Sequence, residues 1–133
     1  MIKLDSYYQD REKEILREDL LTDRAQEWAR NFITVRPRLN AAQLRRFFNE
    51  VKALEALVEA ERGADGFKKV RPLIKMLKSK VAYSAGGKKV PEEFKEFIIA
   101  CVDNINDGKD FRAFVLLFEA VVGFFYGEGG GRG

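Results

Sequence analysis

The chain has 133 residues, 46% hydrophobic and 34% charged, with a formal net charge of +3. That length suits one domain with its own core, and that composition excludes a wholly disordered chain. A single cysteine, Cys101, excludes an internal disulfide, and the lack of histidine removes the commonest metal ligand and general base.

The opening residues, "MIKLDSYYQDREKE", hold no apolar signal core. No stretch reaches the roughly 18 apolar residues that span a bilayer, so the reading is a soluble, cytoplasmic protein. The hydrophobic pattern is helical throughout, with no period-2 strand. About residues 5–20 read as a very polar helix anchored by Ile15, Leu16 and Leu20. Thr22 or Asp23 then caps a helix that puts Ala25, Trp28, Ala29 and Phe32 on one side. "TVRPRLN" is a connector, because Pro37 and the residue before it resist the helical conformation. Asn40 is the next cap, with Gln43 at the capping-box position. The helix that follows runs to Arg62, with Gly63 as its stop.

"GADGFKK" reads as a loop. Pro72 fits the first turn of a helix that ends at Gly86-Gly87. Pro91 opens another, with Phe94, Phe97, Ile98, Cys101, Val102 and Ile105 inward. "NDGKD" breaks it. The last helix, "FRAFVLLFEAVVGFFYG", is apolar nearly all round, so it is either central in the bundle or covered by another chain. Beyond the polar first segment, the prediction is an all-α, compact five-helix bundle with short loops. It forms one domain over residues 1–127, followed by a flexible Gly-rich tail over 128–133.

The charge is segregated. Residues 1–31 carry net −2, residues 32–90 net +9, and residues 91–133 net −4. A basic block of this kind points to an anionic partner. On the 40–62 helix Leu44, Phe47, Phe48, Val51, Leu54 and Val58 share one side. Arg45, Asn49 and Lys52 form a stripe away from it, flanked by Ala53 and Ala56. On the next helix Leu73, Ile74, Leu77 and Val81 face the core, while Lys75 and Lys78 point nearly opposite. Lys80 sits at the core edge, where it snorkels or pairs with Glu50 or Glu55. Arg46, Arg71 and Lys88 add charge from the same two helices and their connectors, and Tyr83 could stack on a base or sugar. Solvated surface cations are the plain alternative for each lysine. As a set, the ten candidates Arg45, Arg46, Asn49, Lys52, Arg71, Lys75, Lys78, Lys80, Tyr83 and Lys88 predict one continuous outward-facing track for a phosphate backbone.

Two segments then carry a family likeness. "LNAAQLRRFFNEVKALE" and "LIKMLKSKVAYSAG" resemble the signature segments of the small helical subunit of type III-A CRISPR interference (Csm) complexes, through Gln43, Arg45, Phe47, Asn49, Glu50 and Val51, and through Lys78, Lys80, Ala82, Tyr83, Ala85 and Gly86. "LLTDRAQEWARNF" resembles the segment that precedes them. Gly87 departs from the family pattern, where a basic residue is expected; Lys88 and Lys89 follow it. The resemblance implies a non-catalytic subunit for antiviral defense. Its copies would stack beside the backbone and large subunits and support the duplex of guide RNA and target RNA. At residue level it carries over to Arg45, Lys52, Lys75, Lys78 and Tyr83, and to Arg46 and Lys80.

Enzyme chemistry is not assembled. Ser84 has no partner base, no metal site is expected from carboxylates alone, and no cofactor motif occurs. Two other readings stand beside RNA binding. One is a helical adaptor that docks acidic protein surfaces without nucleic acid. The other is a small DNA-binding regulator, although the 63–72 connection is long for a helix-turn-helix.

Overall fold

The computed structural model describes residues 4–61 and 63–131. The chain opens with a short hairpin, β1 (Tyr8–Asp10) against β2 (Ile15–Leu16), paired antiparallel with Tyr8 opposite Leu16. This corrects the helix expected over 5–20. The Asp10 side chain accepts from the Lys13 N–H at 3.1 Å, and the Arg11 carbonyl accepts from the Glu14 N–H at 3.1 Å. Such local bonds compete with a helix. Burial decides the rest. Tyr7 and Tyr8 are both buried, with their hydroxyls donating to the Cys101 and Lys109 carbonyls at 2.6 Å each. Ile15, expected as an anchor, is exposed, whereas Leu20 is buried.

A single turn, α1 (Glu18–Leu21), leads into α2 (Asp23–Thr34), whose buried Ala25, Trp28, Ala29 and Phe32 follow the expected spacing. The long α3 (Ala41–Glu61) begins where Asn40 Oδ1 accepts from the Gln43 N–H at 2.9 Å. The return bond of a capping box is not made: Gln43 Oε1 is buried without a partner. Arg62, expected to close α3, lies outside the described residues.

Helix α4 (Gly63–Lys75) replaces the loop expected over 63–69, and Pro72 sits inside it rather than in a first turn. Glycine disfavours helix on its own, but packing overrides that here. A Cβ at Gly66 would stand 2.6 Å from the Val58 carbonyl oxygen, so only glycine lets α4 close on α3. Phe67 and Val70 then bury against the bundle. After Met76 comes α5 (Leu77–Gly86). Bonds from the Met76 N–H to the Pro72 carbonyl and from the Lys80 N–H to the Met76 carbonyl, both 3.1 Å, carry the ladder across, so α4 and α5 act as one bent rod.

Helix α6 (Glu92–Asp103) buries Phe94, Phe97, Ile98, Cys101 and Val102, and Ile105 just beyond it is buried too. Helix α7 (Gly108–Gly127) starts earlier than expected, since Asp107 accepts from the Asp110 N–H at 2.9 Å and brings "GKD" into the first turn. It is the central element: Phe111, Ala113, Phe114, Val115, Leu117, Phe118, Val121 and Phe125 are all buried within the chain. The rods α2, α3, α4–α5, α6 and α7 make the expected five-helix bundle. Edge-to-face rings join four of them, with Phe94 of α6 at 5.4 Å from both Phe32 and Phe47 and 6.3 Å from Phe118.

Residues 128–131, expected as the start of a free tail, stay in contact with the bundle. Gly129 takes a φ of 90°, and the Gly130 N–H returns to the Phe125 carbonyl at 2.8 Å, a Schellman ending. Glu128 pairs with Arg30 at 3.1 Å, and Arg38 donates to the Gly130 carbonyl at 2.8 Å. Residues 132–133 lie outside the described residues.

Candidate nucleic-acid interface

Nine of the ten candidate residues fall into three neighbourhoods rather than one track, and Lys88 stands apart in the turn after α5. The first lies where the α4–α5 rod meets the end of α6. Lys75 Nζ donates to the Val102 and Ile105 carbonyls at 2.9 and 3.1 Å, the first of which also accepts from the Ile105 N–H. Burial, with Arg71 nearby, pulls the Lys75 ammonium below its ordinary pKa. Lys78 pairs with Asp103, and Arg71 makes a long 3.4 Å bond to the Asn106 carbonyl. These side chains hold the bundle together before they meet any ligand.

The second neighbourhood is the outer side of α3. Arg45 lies over the Tyr126 ring at 5.5 Å and donates to its hydroxyl at 3.0 Å. Lys52 pairs with Glu55 at 2.7 Å, and Asn49 is exposed.

The third is a built cleft of about 620 Å³ between α3 and α5. Arg46, Phe47 and Glu50 line it from α3; Ser79, Lys80, Tyr83 and Ser84 line it from α5; Lys89 closes it from the following turn. Glu50 takes Lys80 in an ion pair, as the core-edge position of Lys80 predicts. Arg46 and Lys89 enter no ion pair among the described residues. Two serine hydroxyls and Tyr83, 80% exposed, complete the wall. The cleft therefore offers three cations against one carboxylate, hydroxyl groups, and a free aromatic face.

The end of α5 aims Lys89. The Lys89 N–H returns to the Ser84 carbonyl at 2.9 Å and the Lys88 N–H to the Ala85 carbonyl at 3.0 Å. In that ending the left-handed residue is Lys88, with a φ of 59°, and not one of the glycines before it. The sequence shows two glycines followed by two lysines. It does not show that the turn falls one step later and sends Lys89, rather than Lys88, into the cleft. In the sequence Ser84 reads only as a nucleophile without a base, because its neighbour in the cleft, Arg46, lies nearly forty residues away in the chain.

Among the described residues, no three of His, Cys, Asp or Glu gather as a metal would need. The Cys101 thiol is fully buried and pushed far up by burial, with the Tyr7 contact lowering it slightly. No helix among the described residues is long and apolar enough to cross a membrane.

The model of the Csm2 Type III-A family matches residues 16–129, from the second hairpin strand to the end of α7. The chain belongs to that family. It is a small, structural subunit of the type III-A CRISPR Csm complex, as the two signature segments implied. No curated protein and no solved structure matches it. The family match ends short of the hairpin's first strand, so β1 and the turn after it stand outside the matched residues.

Proposed function

We propose that this Csm2-type chain is a non-catalytic RNA-binding subunit of the cytoplasmic effector. It grips the backbone of the guide RNA–target RNA duplex through the cleft between α3 and α5, without reading sequence. The observation that carries this is the cleft itself: Arg46, Lys80 and Lys89 face one carboxylate, beside an exposed Tyr83. Base pairing already reads the sequence of a guide–target duplex. A supporting protein needs only phosphate and 2′-hydroxyl contacts. Flexible lysines and serine hydroxyls suit that task, and Tyr83 suits a sugar or an end base. Three phosphate contacts contribute about 2 to 3 to the salt slope, a weakening of roughly 20- to 40-fold from about 50 to 200 mM salt. One free copy therefore binds weakly, and copies arrayed against the backbone and large subunits gain by avidity.

Fluorescence anisotropy tests this with single-stranded RNA, duplex RNA and DNA of unrelated sequences, in a salt series. The expected result is weak, salt-sensitive, sequence-blind RNA binding that Arg46→Glu with Lys89→Glu weakens, with a shallower salt slope, while circular dichroism stays helical. Absence of RNA binding at low salt would favour the adaptor reading. Preference for one DNA sequence would favour the regulator.

A further inference from the structure

We propose that the other flank of the α4–α5 rod carries a second phosphate-binding cleft, whose surplus charge is Lys68 and Lys109. This inference rests on the reading that the ligand of the chain is RNA. The cleft has a volume of about 440 Å³ and lies between α4, the end of α3 and the junction of α6 with α7. Lys68, Arg71, Lys109 and Arg112 line it, against one carboxylate, Asp107.

That carboxylate is already taken. Arg11, from the hairpin turn, pairs with Asp107 and, at 2.7 Å, with the buried Asp110. The hairpin also brings Glu14 within 3.5 Å of Arg112, a loose pair between two exposed side chains. The Arg71 guanidinium lies over the Phe67 ring at 5.9 Å. With the hairpin included, five cations face three carboxylates. Arg11 takes two of those carboxylates and Arg112 the third, so Lys68, Arg71 and Lys109 enter no ion pair among the described residues; Arg71 is held by the Phe67 ring and the Asn106 carbonyl, which leaves Lys68 and Lys109 as the mobile charge.

The hairpin is thus a charge device as well as a strap. Without Arg11, Asp107 would be free to neutralise the lysines. Tyr8 reinforces the placement by donating from its hydroxyl to the Lys109 carbonyl at 2.6 Å, which fixes the backbone from which the Lys109 side chain departs.

The chemistry favours a phosphate backbone over an acidic protein surface. Protein interfaces centre on large apolar or aromatic anchors. None of the exposed large hydrophobic side chains, Ile15, Leu57, Leu73, Met76, Tyr83, Leu116 and Tyr126, lines this cleft. Unpaired lysines on a half-open surface are point charges on mobile stems, which neutralise phosphates without demanding one geometry.

The test is a salt series of RNA binding with a short mixed-sequence RNA. It compares the full chain with two variants, Lys68→Glu with Lys109→Glu, and Arg46→Glu with Lys89→Glu. Losing two phosphate contacts is expected to shrink the fold-loss of affinity between about 50 and 200 mM salt roughly tenfold. The effect should add to that of the Arg46 and Lys89 pair. Lys68→Gln with Lys109→Gln should move the slope in the same direction and guards against misfolding. An unchanged slope at Lys68 and Lys109, with a reduced one at Arg46 and Lys89, would overturn this inference and leave the first cleft standing. Intact RNA binding with lost binding of poly-L-glutamate would assign the flank to an acidic protein and overturn it too. No RNA binding by the unaltered chain would overturn both readings.

Discussion

At the scale of single residues, position along a helix says which way a cation points but not what it meets. Lys75 is the clearest case. Its place opposite the apolar side of the rod suggests solvent, yet the end of α6 passes over it and supplies two carbonyl acceptors. The Val102 carbonyl keeps the Ile105 N–H, but leaving the Ile105 carbonyl without a donor would cost about 1–3 kcal/mol if it stayed dry. A charge reversal at Lys75 is therefore a stability experiment before it is a binding experiment. Arg46 and Lys89 have no such duty, which makes them the cleaner probes. Lys88 carries a different burden, because its φ of 59° is a conformation that suits glycine. Replacing it by glycine removes about 1–2 kcal/mol of steric cost and adds back some chain entropy. Lys88→Gly is expected to raise the unfolding midpoint in urea by a net gain of about 0.5–1 kcal/mol. A midpoint that falls would contradict the turn geometry.

At the scale of elements, the helices that could be read are those whose burial obeys the helical period. Ala25, Trp28, Ala29 and Phe32 in α2, and Phe94 to Val102 in α6, lie inward as their spacing requires. The elements misread are those decided by distant contacts. Helix α4 exists despite Gly63 and Gly66 because Gly66 seats against the Val58 carbonyl. Gly66→Ala would set a methyl 2.6 Å from that backbone oxygen. The rod must shift, at a cost of about 1–3 kcal/mol in a denaturant melt, although alanine is the better helix former. The hairpin was hidden for a related reason. Its bonds reach some hundred residues along the chain, from Tyr7 to the Cys101 carbonyl at 2.6 Å and from Asn104 to the Leu4 carbonyl at 2.7 Å.

The hairpin's ion pairs also set a pH dependence. Burial opposes ionisation of Asp107, but the Asp110 N–H and Arg11 win and hold its carboxyl below the ordinary aspartate value of 3.8. A lowered folded-state value means that this stabilisation is present above 3.8 and fades as the pH falls through the folded value. The pair is half exposed, so the effect is at most about 1 kcal/mol. Arg11→Ala is expected to lower stability near neutral pH and to flatten its fall below pH 3.8, read by thermal melts across the acid range. An unchanged acid profile would remove Arg11 from this role.

At the scale of the whole molecule, a ring-lined core built on α7 leaves the basic middle third as the outer layer of the bundle. The charge segregation was legible because it is a property of composition. The division of that charge between two flanks was not, because Arg46 meets Lys89, and Lys68 meets Lys109, only after folding. The net charge of +3 understates both clefts, since carboxylates elsewhere hide them in the total. Amide chemical-shift mapping of the free protein, titrated with a short RNA at low salt, tests the central claim most directly. The account predicts that the largest shifts fall at Arg46, Ser79, Lys80, Tyr83, Ser84 and Lys89. Shifts confined to Glu92, Glu93 and Glu96 at the start of α6, or none at saturating RNA, would contradict it.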